Sequence, residues 1–170
     1  MTSRAAPTEI DRTQGERPTL EGMLRFYQDV LGRKLDGVSD TDARLVQTKS
    51  GMSILGVVNH AANVHLWWYV HVLTGEKPEY SYTDADVEVD PDCDWWPEAS
   101  GADVLDFFDR CCEIARLAAA EVSLDTVVTI PERDSQVSLR WIHVHMIEEL
   151  ARHAGHLDVM REAVDGVVGD

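Results

Sequence analysis

A chain of 170 residues, 44% hydrophobic and 27% charged, is long enough to bury a sizeable core and reads as a single domain. Its net charge of −16 argues against a basic surface for nucleic acid or anionic membrane, and no apolar run approaches the roughly 18 residues of a membrane span. Residues 1–18 are polar, with Pro7, Gly15 and Pro18, and carry no apolar segment of the signal-peptide kind. The three cysteines, Cys93, Cys111 and Cys112, are odd in number and suit a reducing cytosol better than a disulfide framework. The expectation is an acidic, cytoplasmic protein.

Residues 1–17 read as a weakly ordered lead-in to a domain over 18–170. A first helix is predicted from the Thr19 cap to about Leu35, with Leu20, Met23, Leu24, Tyr27, Val30 and Leu31 as its apolar stripe and Gly37 as the stop. Ser39-Asp40-Thr41-Asp42 opens a short helical turn through Leu45. The second long helix begins near Ser53 and ends at Gly75. Residues 76–100 form a long connection with nine acidic residues plus Tyr80, Tyr82, Trp95 and Trp96, the composition of a lid or an interface. The Ser100-Gly101-Ala102-Asp103 capping box starts a third helix that runs to about Ala120. Thr126–Ile130 has the β-propensity of a short extended piece. A fourth helix runs from the Ser138 cap to Gly166. Four long helices without a convincing strand pair predict an all-α, four-helix bundle.

The fourth helix contains an anomaly. Its stripe runs Leu139, Ile142, Met146, then Glu149, His153, His156 (or Leu157), then Met160 and Val164. A carboxylate and imidazoles thus stand where apolar residues should, and a buried carboxylate needs something to neutralise it. Glu149 and His153, at i and i+4, leave one face about 6 Å apart, a spacing that suits two ligands of one divalent ion. His156 is less well aimed. A third ligand must come from another helix, and His60 lies mid-helix on an apolar stripe, where Gly56, Ala61 and Ala62 permit close approach. Two imidazoles and a carboxylate leave a position open, the pattern of a catalytic ion. Zinc, nickel, iron and manganese all accept these donors, with zinc or nickel the expectation carried forward.

Blander readings stand beside this one. A lone histidine on an apolar face is more often a hydrogen-bonded core residue, and Glu with His at i,i+4 also makes a surface ion pair. Only their coincidence on two core-facing stripes favours a metal. His65 is expected to point sideways, His71 lies about 16 Å along the helix from His60, and His143 and His145 flank the stripe as solvent or interface residues. Glu148 turns away from Glu149. Cys111 and Cys112 read as core thiols, and Trp67-Trp68 as packing.

Together these stretches carry a family likeness. Gly51-Met52-Ser53-Ile54-Leu55-Gly56-Val57-Val58-Asn59-His60, Trp67-Trp68, Val137-Ser138-Leu139-Arg140-Trp141 and His145 through His156 resemble the DinB-like superfamily, most closely its mini-circle or DUF664 branch, over about residues 18–165. The resemblance implies an up-down-down-up four-helix bundle with a metal near one end, held by His60, Glu149 and His153. Glu149 departs from the histidine usual at that position, a His/Glu/His set also seen in mycothiol-dependent maleylpyruvate isomerase relatives. It further implies thiol chemistry with mycothiol as cosubstrate, and often a homodimer.

Three functions follow. The first is a metal-dependent mycothiol S-transferase acting on small electrophiles, with His156 as a proton shuttle or orienter beside the ligands. The second is a metal-dependent hydrolase, distinguished by activity without added thiol. The third is a non-catalytic metal-binding stress-response protein.

Overall fold

The computed structural model describes residues 4–7, 9–81, 98–131 and 133–169. The segment expected to form a lid, with Tyr82, Trp95 and Trp96, lies outside them, as does Cys93. The protein is mainly helical: α1 Glu16–Arg33, α2 Asp40–Ala43, α3 Ile54–His65, α4 Gly101–Ala119 and α5 Leu139–Asp165. No helix among the described residues is long and apolar enough to cross a membrane.

Capping chemistry sets most boundaries. The Ser53 and Ser138 hydroxyls accept from the Gly56 and Trp141 N–H groups at 3.0 and 3.1 Å, satisfying donors that a helix start leaves orphaned. Ser100 and Asp103 form the reciprocal capping box. Gly37 and Gly166 adopt positive φ just beyond α1 and α5, as a helix stop requires. The start of α1 differs from expectation. Gly15 is the cap, and the Thr19 hydroxyl instead donates to the Gly15 carbonyl at 2.9 Å. Pro18 falls within the first turn, where its missing N–H costs nothing.

Two further expectations are corrected. Val127–Thr129 (β1) pairs antiparallel with Gln136–Ser138 (β2), so a small hairpin does form against the N-terminus of α5. The second long helix is not α-helical throughout. Leu66–Val72 is a π-helical turn, closed by an i→i+5 bond from the Leu73 N–H to the Trp68 carbonyl at 3.0 Å.

α3 determines how the others pack. Ile54–His65 contains no Asp, Glu, Lys or Arg, and a helix apolar all round must lie inside. From Ser53 to Leu73 every residue is buried except His60, Val64, Trp67 and His71, which form one stripe at steps of four, three and four. α4 packs along α3 and the π turn, α5 covers another side of α3, and α1 lies mainly on α5 with a smaller contact to α4. At the far end Arg161, buried on α5, donates to the Lys34 carbonyl at 2.8 Å and pairs with Asp165.

Two histidines expected at the periphery belong to this core. His65 is fully buried, with Nδ1 2.7 Å from the Ala61 carbonyl oxygen and Nε2 2.9 Å from the Gln28 side-chain nitrogen. His143 is buried too, its Nδ1 2.6 Å from the Tyr69 hydroxyl, because α5 presents it towards α1 and the π turn rather than to solvent. Burial pushes both imidazoles down to about 4. The folded protein therefore refuses protons that the unfolded chain binds near pH 6.5, and stability falls as pH drops from about 6.5 towards 4. Urea unfolding across that window is expected to show a smaller loss for His65→Gln than for the natural protein, by up to one proton in slope. Identical slopes would contradict the assignment.

Candidate metal centre

α3 and α5 meet at the open stripe of α3. On α5, Leu150 rather than Glu149 continues the buried row after Met146, and Leu157 rather than His156 follows it. Glu149 is therefore turned to the edge of the core, about 100° from Leu150. Its side chain is 14% exposed, against 13% for His60 and 5% for His153. The sequence placed the carboxylate within the core, whereas it stands at the core's boundary.

One oxygen of that carboxylate takes both imidazoles. Glu149 Oε1 lies 3.0 Å from His153 Nε2 and 3.4 Å from His60 Nε2, and the two rings meet edge to face with centroids 4.9 Å apart. The other oxygen faces Arg152 at 3.6 Å. Hydrogen bonds from His153 first and His60 second hold the Glu149 carboxyl well below the usual carboxylate range, so it is ionised.

The same three residues place one ligand atom each within 4.8 Å of one another. Metal–ligand bonds of about 2.0–2.2 Å at about 90–110° put neighbouring donors about 3 to 3.5 Å apart, the separations seen from Glu149 to each histidine. His153 Nδ1 and His156 Nδ1, which are not the converging donor atoms, are buried without a partner among the described residues, a polar surplus of the kind an ordered water resolves. The donor set thus fits a divalent cation. His156 lies beside His153, ring centroids 5.5 Å apart, and is not among the three converging donors. Glu148 turns away as expected and pairs with Arg152.

Above these donors lies a cavity of about 380 Å³, within the range of small-molecule sites, lined by His60, Asn63, Val64, Trp67, Trp68, Arg133, His145 and Glu149. His145, expected at the solvent or an interface, stacks on Trp141 with centroids 4.8 Å apart and meets Trp68 edge-on at 4.9 Å. It stands one turn before Glu149, an i,i+4 relation visible in the sequence. Trp67 and Trp68 do pack, as expected, but they also form the cavity wall. Arg133 comes from the turn joining β1 and β2 and had no local signal. The thiols do not contribute: burial raises Cys111 to about 12 and Cys112 well above the usual thiol range, so neither is a ready nucleophile.

Asn63 ties the connection after the π turn to this cavity. Its amide donates to the Asn59 carbonyl at 2.9 Å and to the Ser81 hydroxyl at 2.8 Å, and its oxygen accepts from the Ser81 N–H at 3.0 Å. Asn63→Ala is expected to cost about 1–3 kcal/mol and to speed amide exchange at Ser81 while leaving α4 protected. Unchanged exchange at Ser81, read by hydrogen-exchange mass spectrometry, would refute this role.

The domain is mainly helical and gathers His60, Glu149 and His153 from two helices beneath a cavity, a grouping that could hold a metal ion. Residues 19–166 match the family model described as Mycothiol-S-transferase. The chain belongs to that family and, with it, to the DinB-like superfamily. No curated protein and no solved structure matches it.

Proposed function

We propose that the protein is a divalent-metal-dependent mycothiol S-transferase acting on small electrophiles. The observation that carries this reading is the convergence of three donor atoms within 4.8 Å at the cavity of a chain in the mycothiol-S-transferase family. His60, Glu149 and His153 would hold the ion, with zinc or nickel the expected metal. When bound, such an ion lowers the pKa of a thiol at its open position, making a thiolate available at neutral pH.

The remaining work falls to the chain. Glu149 supplies one negative charge against the cation, and its attachment to both imidazoles orients them before any ligand arrives. Val64, Trp67 and Trp68 give the electrophile an apolar wall that displaces water. His156 is a positioning residue, acting through its contact with His153. On this reading the four long helical segments form the up-down-down-up bundle of the superfamily. The ring of pairwise packing, α1 on α5, α5 on α3, α3 on α4 and α4 on α1, supports it. A cytoplasmic homodimer completes the proposal.

Elemental analysis and monochlorobimane consumption test it together. Zinc- or nickel-loaded protein is expected to carry one ion per chain and to consume the probe only when mycothiol is present. His60→Ala and His153→Ala should each lose on the order of 100-fold or more in metal affinity and in rate. Thiol-independent turnover, or variants as active as the natural chain, would overturn it.

A further inference from the structure

We propose that Arg133 anchors a carboxylate on the electrophile, so that the cavity selects small carboxylate-bearing electrophiles with a flat apolar body. This rests on the S-transfer reading of the same cavity. Arg133 lines the cavity from the turn that joins the two strands, where its own backbone N–H is fixed to the Ile130 carbonyl at 3.2 Å. Its guanidinium lies over the Trp67 ring, 5.6 Å from the centroid. A cation–π contact of this kind uses none of the guanidinium's hydrogen-bond donors, which remain for a planar acceptor.

Asn63 and Glu149, the other polar side chains of the lining besides its histidines and indoles, are committed. Asn63 spends its amide on Asn59 and Ser81, and Glu149 binds two imidazoles through one oxygen while the other faces Arg152. Burial lowers the pKa of His145, which favours its neutral form. Arg133 alone among the lining residues is a permanent cation. It is also without a carboxylate at ion-pair distance among the described residues, whereas Arg17, Arg116, Arg140 and Arg152 each hold one. In a chain with 31 acidic and 15 basic residues, most arginines find an acid nearby. One that lies over an indole at a cavity instead, with no acceptor on its donors among the described residues, is set for an external carboxylate. Trp67, Trp68 and Val64 supply the flat apolar surface beside it.

Binding is measured first without thiol, by tryptophan fluorescence of the zinc-loaded protein with 4-methylbenzoate and its methyl ester. The natural chain should bind the acid about tenfold or more tightly than the ester, and Arg133→Met should abolish that preference by weakening the acid alone. Turnover is then measured with mycothiol and 4-(chloromethyl)benzoate or its methyl ester. In that reaction a C–S bond forms, the C–Cl bond breaks, chloride leaves with the bonding pair and the thiol proton passes to solvent. The Arg133→Met loss should fall on KM for the acid, with kcat and the ester unaffected. Equal affinity for acid and ester, or a preference that survives Arg133→Met, overturns the anchor even if both chlorides are consumed. If neither chloride is consumed but the preference and its loss persist, the anchor stands and the S-transfer reading fails.

Discussion

The structure depends on one constraint: α3 and the π turn after it are too apolar to meet water on more than one narrow stripe. With no Asp, Glu, Lys or Arg between Ile54 and His65, the helix must be covered by its neighbours. α4 and α5 cover its sides, and α1 is held on the outside against both. What remains open is His60, Val64, Trp67 and His71, and the first three line the cavity. The site is therefore the one edge of the central helix that packing leaves uncovered.

Placing a carboxylate at that edge is a matter of degree. One residue further round α5, at Leu150, the side chain is fully buried, and an ion there would need a partner it lacks. At Glu149 the carboxylate keeps partial contact with water on one side and gains two imidazoles on the other. His60 and His153 come from different helices, so the carboxylate also fixes where α3 and α5 meet. An ionised Glu149 between two histidines is thus held in place by hydrogen bonds to both rings.

The histidines divide by the neighbours each finds. His65 finds Gln28 of α1 and His143 finds Tyr69 of the π turn, and burial keeps both rings neutral. His60, His145 and His153 gather on the opposite side, around the cavity and Glu149.

Much of this was legible in the residues. Ser53, Ser100 and Ser138 marked three helix starts because a cap is a local hydrogen bond, and Gly37 and Gly166 marked stops because positive φ is a local requirement. Glu149 and His153 were recognisable as a pair because four residues make one turn, and His60 as their partner because it interrupts an apolar helix. The π turn was not legible, since Leu66–Val72 carries good helical periodicity and its extra residue per turn is decided by packing. Nor was the β1–β2 pairing, which joins two three-residue pieces too short to stand alone. The rotation that buries Leu150 and Leu157 while leaving Glu149 at the edge separates neighbours by only about 100°. Such an angle is settled by how α5 seats on α3 and α1. Sequence by itself determined which residues could hold a cation. Tertiary structure alone decided that Arg133 and His145 share their cavity, because those contacts join a hairpin turn, the central helix and α5, segments that only long-range packing brings together.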